Sequence, residues 1–194
     1  MIRRHMDIMQ YEPALKEILD HRLFQSMAAY RHHADISCLE HTLLVAEIVF
    51  TTAKRWQLDY ISATRGALLH DFYLYDWHTD SPGLHGVRHP RMSLNNAVSV
   101  FSLNEIEKNA ILRHMWPLTP IPPRYPESLL VSVADKVSSY REYRRSTREM
   151  VSRILPRSVV KTLIVKKSST ETRRTVSPAA VSVLPASVSS RLPV

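Results

Sequence analysis

"GALLHDFYLYDW", residues 66–77, joins an apolar run to a histidine followed at once by an aspartate. Neither residue helps a helix pack, and both are good metal ligands. A carboxylate carries two oxygens, so Asp71 can bridge two ions while His70 binds one. The run reads as the end of a helix. Ala63, Ala67 and His70 share one face, so His70 points where the small apolar residues point. Asp59 is placed to cap the start of this helix.

On the N-terminal side, "SCLEH" (37–41) has Ser37 and Glu40 at capping-box spacing, which puts His41 in the first turn of another helix. Leu43, Ala46, Phe50 and Ala53 then repeat on one face. Further back, "YEPALKEILDHRLFQSM" (11–27) carries Leu15, Leu19 and Leu23 at four-residue spacing and predicts one continuous helix.

On the C-terminal side, "DSPGLHGVRHP" (80–90) has two glycines and two prolines and reads as a loop. A short helix is expected after Pro90, with His89 at its entry. "NEIEKNAILRHMW" (104–116) starts another, with Asn104 and Glu107 as cap and partner, and Ile106, Ala110 and His114 on one face. "PLTPIPPRYP" (117–126) is a loop by its prolines. Pro126 suits the first turn of a last helix that carries Asp135 and reaches the 140s. No repeat and no alternating strand pattern is present. The fold class expected is all-α, a bundle of about five to seven helices.

Length and composition fit one domain with room for a real core. Only three glycines occur among the 194 residues, which removes a glycine-rich phosphate loop. Cys38 is the sole cysteine, so neither an intramolecular disulfide nor a cysteine-built zinc site is expected. No stretch has the length and apolarity of a membrane span. The N-terminal "MIRRHMDIMQYEP" lacks the apolar run of a secretory signal, and a cytoplasmic location is expected.

The formal charge of +8 is unevenly spread. Residues 141–194 hold 12 Lys/Arg and 3 Asp/Glu, whereas residues 1–140 are close to neutral. All ten histidines lie at or before His114. From about Leu155 the chain is rich in serine, valine and proline. The organisation expected is a helical metal-binding domain over 1–150 and a disordered basic tail over 151–194. Through its charge the tail is a candidate for binding nucleic acid or an acidic surface.

The candidate ligands are His41, His70, Asp71, His89, His114 and Asp135. A buried imidazole or carboxylate must be satisfied, and one shared metal centre satisfies several at once. Histidine nitrogen and carboxylate oxygen suit Zn, Fe, Mn, Co or Ni. Each residue also has an ordinary alternative. A single histidine on an apolar face is usually a hydrogen-bonded core residue. Asp135 can pair with an arginine, and Asp71 can end a helix. His78 and His85 read as exposed loop residues, and His32–His33 as lining the entrance to the site.

The ordered set "EHTLLVA", "GALLHDF", "HP", "ILRHMW" and "VSVADKVSSY" resembles the HD superfamily of metal-dependent phosphohydrolases over roughly residues 35–145. Its pattern of His, His-Asp and a distant Asp matches His41, His70–Asp71 and Asp135. His89 and His114 match the two extra histidines of binuclear members. The arrangement is similar to bacterial HD hydrolases acting on diadenosine tetraphosphate. The glycine-tyrosine-proline signature of the cyclic-dinucleotide phosphodiesterases is absent. So is the lysine that often follows His-Asp, where "FYLYDW" stands instead.

The resemblance implies one or two divalent ions, the first on His41, His70, Asp71 and Asp135 and the second on Asp71, His89 and His114. It also implies a small phosphorylated substrate, a nucleotide, cleaved by metal-activated water. Asp71 would act at the reacting centre. Lys136, Arg91 and Arg113 are candidates by position for neutralising phosphate, with Lys136 and Arg91 preferred. Two rivals use the same residues: an HD-fold di-iron oxygenase, and a non-catalytic, metal-stabilised regulatory or nucleic-acid-binding module.

Overall fold

The structure is a computed structural model that describes residues 12–32, 36–79 and 83–154, with side chains described as far as residue 147. The chain divides into two units, Met1–Arg148 and Glu149–Val194. The first holds the helical core and the site. Of the basic tail expected over 151–194, residues 151–154 instead continue the last helix, and residues 155–194 lie outside the described residues, as do His5 and His33.

All regular secondary structure among the described residues is helical, as expected: α1 (Pro13–Leu19), α2 (Arg22–Gln25), α3 (Cys38–Arg55), α4 (Tyr60–Leu69), α5 (His85–Val100), α6 (Glu105–Arg113) and α7 (Pro126–Ile154). One isolated antiparallel bridge pairs Arg31 with Ser37. Among the described residues no helix is long and apolar enough to cross a membrane.

The start signals read from sequence operate as predicted. Ser37 Oγ accepts the Glu40 N–H while the Glu40 carboxylate accepts the Ser37 N–H, closing the capping box of α3. Asn104 and Glu107 do the same for α6. Asp59 accepts from the Ser62 N–H at the head of α4. Each such cap satisfies a donor that the helix start leaves orphaned.

Two expectations are corrected. The single helix over 11–27 is broken at His21, whose backbone is extended (φ −72°, ψ 130°) and whose ring accepts the Leu23 N–H at 3.3 Å. His21 thereby caps a new turn. Leu23 faces outward, 40% exposed, and Phe24 enters the core instead. Residues 85–90 are helical rather than loop. α5 starts at His85 and passes through Pro90. The proline removes one hydrogen bond, that to the carbonyl four residues back, early enough in the helix for the rest to continue.

α4 is the central element. Every residue from Ser62 to Leu69 is buried, the signature of a helix covered on all sides. It packs against α1, α3, α5 and α6. Gly66 allows the α6 contact, since a Cβ added there would lie 2.7 Å from the Ala110 Cβ. The buried Arg65 spends four of its five N–H donors. It donates to Glu107 (2.8 Å), Glu17 (3.0 Å) and the carbonyls of Ala14 and Ser102, tying α1, α4 and α6 together. The apolar core runs from Leu15, Ile18 and Phe24 through Val45, Val49 and Leu68 to Ile111, Val131 and Ala134.

Candidate metal centre

His70 and Asp71 follow directly on α4, where the helix ends. The chain beyond them is held from both sides. The Cys38 thiol donates to the Asp71 carbonyl (3.5 Å), and Asn96 of α5 donates to the Phe72 carbonyl (2.9 Å). The Asp71 carboxylate is thereby fixed at the centre of the domain, 3% exposed.

Its two oxygens face different partners. Oδ2 lies 3.4 Å from His70 Nε2, 3.9 Å from His41 Nε2 and 3.0 Å from His32 Nε2. Oδ1 lies 3.2 Å from His89 Nε2 and 3.5 Å from His114 Nε2. Asp135 Oδ1 closes the first group, 3.2 Å from His41 Nε2 and 3.9 Å from His70 Nε2. The structure brings all six sequence-derived ligands together, in two groups that share Asp71.

Four of the imidazoles are oriented alike. Nδ1 meets a backbone carbonyl at 2.7 Å in His70 (Ala67), 2.9 Å in His89 (His85) and 2.7 Å in His114 (Ile111). His41 Nδ1 meets the Glu142 carboxylate at 2.9 Å. A carbonyl or carboxylate accepts, so each Nδ1 carries a proton, and each Nε2 is the nitrogen turned to the centre, where it can offer its lone pair to an ion once deprotonated. This is the orientation that metal-binding histidines take.

α7 supplies the far wall by helical spacing. Asp135 and Glu142, two turns apart, grip opposite nitrogens of His41. Ser132 and Lys136, one turn apart, reach the carbonyl of His114 at the end of α6, at 2.7 and 2.6 Å. A cation at a helix C-terminus is favoured there.

The electrostatics follow from packing these groups together. Burial opposes charge on His41, but the Asp135 and Glu142 carboxylates beside its two nitrogens outweigh it and raise its pKa to about 10. Burial, with His89 and His70 adding to it, pushes His114 down to about 3. Burial alone would raise Asp71 and Asp135. The surrounding imidazoles win and hold both carboxyls below the usual range. Burial lowers Lys136, and Asp135 partly offsets it.

The donor set fits a metal ion. His41 Nε2, His70 Nε2 and Asp71 Oδ1 are buried at the centre without a hydrogen-bond partner. A cation is one partner that serves all three. Groups His41–His70–Asp71 and Asp71–His89–His114 each hold their donor atoms close enough for one ion.

The other expected residues are placed unequally. Lys136 lines the adjoining cavity. Arg91 is exposed on α5 and Arg113 is half-buried, and neither is among the residues lining that cavity.

Two residues were missed in the sequence. Glu142 had no signal except its seven-residue distance from Asp135. His32, read as an entrance residue, is buried, bonded to Asp71 and stacked on His41 with ring centroids 3.8 Å apart. His85 is likewise not an exposed loop residue. It is half-buried in the first turn of α5, bonded to the Tyr75 hydroxyl (2.8 Å) and stacked between Trp77 and His89.

An all-α fold around a buried His/Asp cluster able to hold metal defines the class of site and is compatible with an HD-like fold. No family model, no curated protein and no solved structure matches the chain.

Proposed function

We propose that this chain is a metal-dependent phosphohydrolase of the HD type, cleaving a phosphoester or phosphoanhydride of a small molecule, in the first instance a nucleotide. The observation that carries the reading is the division of Asp71, with one carboxylate oxygen facing His41 and His70 and the other facing His89 and His114. His41, His70, Asp71 and Asp135 would hold one divalent ion, and Asp71, His89 and His114 a second. Such ions supply an activated water and offset charge on phosphoryl oxygens.

The protein's own residues do the rest. The Nδ1–H bonds of His70, His89 and His114 fix the rings before substrate arrives, so no reorganisation is required during the reaction. Lys136, held at the cavity wall by the His114 carbonyl, adds positive charge on the phosphate side. In the cleavage a water oxygen bonds to phosphorus, the bond from phosphorus to the leaving oxygen breaks, and that oxygen takes up a proton. The chain itself forms no covalent intermediate.

The test is elemental analysis of the purified protein, followed by phosphate release over a panel of nucleotides and simple phosphate esters. One or two transition-metal ions per chain and turnover of at least one ester are expected. His70→Ala and Asp71→Ala should remove both metal and turnover while the helical circular dichroism remains. A metal-free wild type, or normal turnover in either variant, defeats the reading.

A further inference from the structure

A cavity of about 850 Å³ opens from the metal centre. Its inner end carries Asp71, His89, His114 and Asp135. Beyond them the wall is mostly apolar, built from Trp77, Gly86, Met115, Pro117 and Leu118, with His32, His85 and Ser139 as polar members. Gly86 makes this wall close-fitting, since a Cβ there would lie 3.2 Å from the Leu118 side chain and 3.7 Å from Met115.

Lys136 is the only lysine or arginine among the described residues that line the cavity. Its ammonium is already engaged with the His114 carbonyl (2.6 Å) and with the Ser132 carbonyl and hydroxyl (both 3.2 Å). An ammonium has three donors, so little is left to grip further anionic groups. A polyphosphate chain needs several cations or backbone nests along its length. Beyond Lys136 this wall presents no lysine or arginine, and its further imidazoles are engaged, His32 with Asp71 and His85 with the Tyr75 hydroxyl.

From this charge distribution we infer that the substrate carries a single phosphate on an apolar or planar organic body, rather than a polyphosphate chain. The phosphate sits at the inner end beside Lys136, and the body packs against Met115, Pro117 and Leu118. A pocket of this volume is of the size that encloses a small organic ligand, far more than a bare phosphate fills. The inference rests on the reading of the site as a phosphate-ester hydrolase, and it narrows the substrate away from dinucleoside polyphosphates.

The experiment measures binding and turnover separately, on the metal-loaded full chain in excess of the same ion, with bound metal measured again afterwards. The binding probes are phenylphosphonate and methylphosphonate, which have no ester or anhydride bond to be consumed, and inorganic tripolyphosphate, whose binding is read before any phosphate is released from its anhydride bonds. Phenylphosphonate should bind about tenfold or more tighter than methylphosphonate, the gain expected from burying an apolar group in such a pocket. It should also bind tighter than tripolyphosphate. Met115→Ala and Leu118→Ala should lessen the phenyl advantage and leave methylphosphonate unchanged. Leu118 is 60% exposed, so its truncation leaves the fold intact. Tightest binding of tripolyphosphate, equal binding of the two phosphonates, or no binding of phenylphosphonate overturns the inference. Turnover of phenyl phosphate and of a nucleotide is then assayed. If phenylphosphonate binds as expected and neither ester is cleaved, the hydrolase reading alone fails.

Discussion

His89 Nε2 and His114 Nε2 face each other at 2.7 Å, and the Nδ1–H of each ring is spent on a backbone carbonyl. Two bare lone pairs at that distance repel. Something positive must lie between or beside them, a proton or a metal ion. With Asp71 Oδ1 within 3.5 Å of both, the pair has the donors of a second ion site. The double variant His89→Ala, His114→Ala should therefore fold, keep one metal per chain and lose the other, with turnover falling sharply. Metal content of wild type and variant decides this. One ion in both, with equal activity, returns the two histidines to an ordinary core role.

Glu142 orients His41 from the side away from the centre. Carboxylates placed in this way fix the tautomer and raise the basicity of a metal-binding imidazole, and removing one typically costs about 10–100-fold in metal affinity or activity. Glu142→Gln should weaken retention of the first ion by about that range in a chelator competition, with secondary structure unchanged. Unaltered metal affinity would mean that His41 is held by packing alone.

Stability should respond to pH in opposite directions with and without metal. In the metal-free chain the His41 pKa is raised to about 10, chiefly by Asp135 and Glu142 acting against burial. A raised imidazole pKa stabilises fully below its unfolded value near 6.5, and the contribution is lost as pH climbs toward 10. Chelated protein should thus lose thermal stability between about pH 6.5 and 10. Metal-loaded protein should gain stability over the lower part of that window, because the ion binds neutral imidazole and competes with protons. Melting temperatures at several pH values, with chelator and with metal, give the two slopes. Equal slopes would show that His41 does not exchange a proton for an ion.

Gly66→Ala should destabilise by about 1–3 kcal/mol, the usual cost of overpacking. The new methyl would meet the Ala110 Cβ at 2.7 Å between α4 and α6. Ala110→Gly in the same chain should recover part of the loss. Denaturant titration of the two single variants and the double variant reads the coupling directly, and additive effects would remove the claim of a close contact.

The sequence by itself determined most of the helix starts and most of the candidate ligands. Caps and apolar spacing are local, governed by residues three or four apart, so the starts of α3, α4, α6 and α7 were legible at Ser37, Asp59, Asn104 and Pro126. His41, His70 and His114 stood out because an imidazole on an apolar face demands a partner. Tertiary structure decided what those partners are. Glu142 reaches His41 across 101 residues and His32 reaches Asp71 across 39, and nothing within either neighbourhood signals the meeting. The same holds for the break at His21, where a local apolar spacing was overridden by the core's preference for Phe24 over Leu23. The division of the Asp71 oxygens between two groups of histidines depends on where α3, α5, α6 and α7 place their rings around the end of α4. Side-chain direction in a packed core is set by all the neighbours together, and no single stretch of chain contains that information.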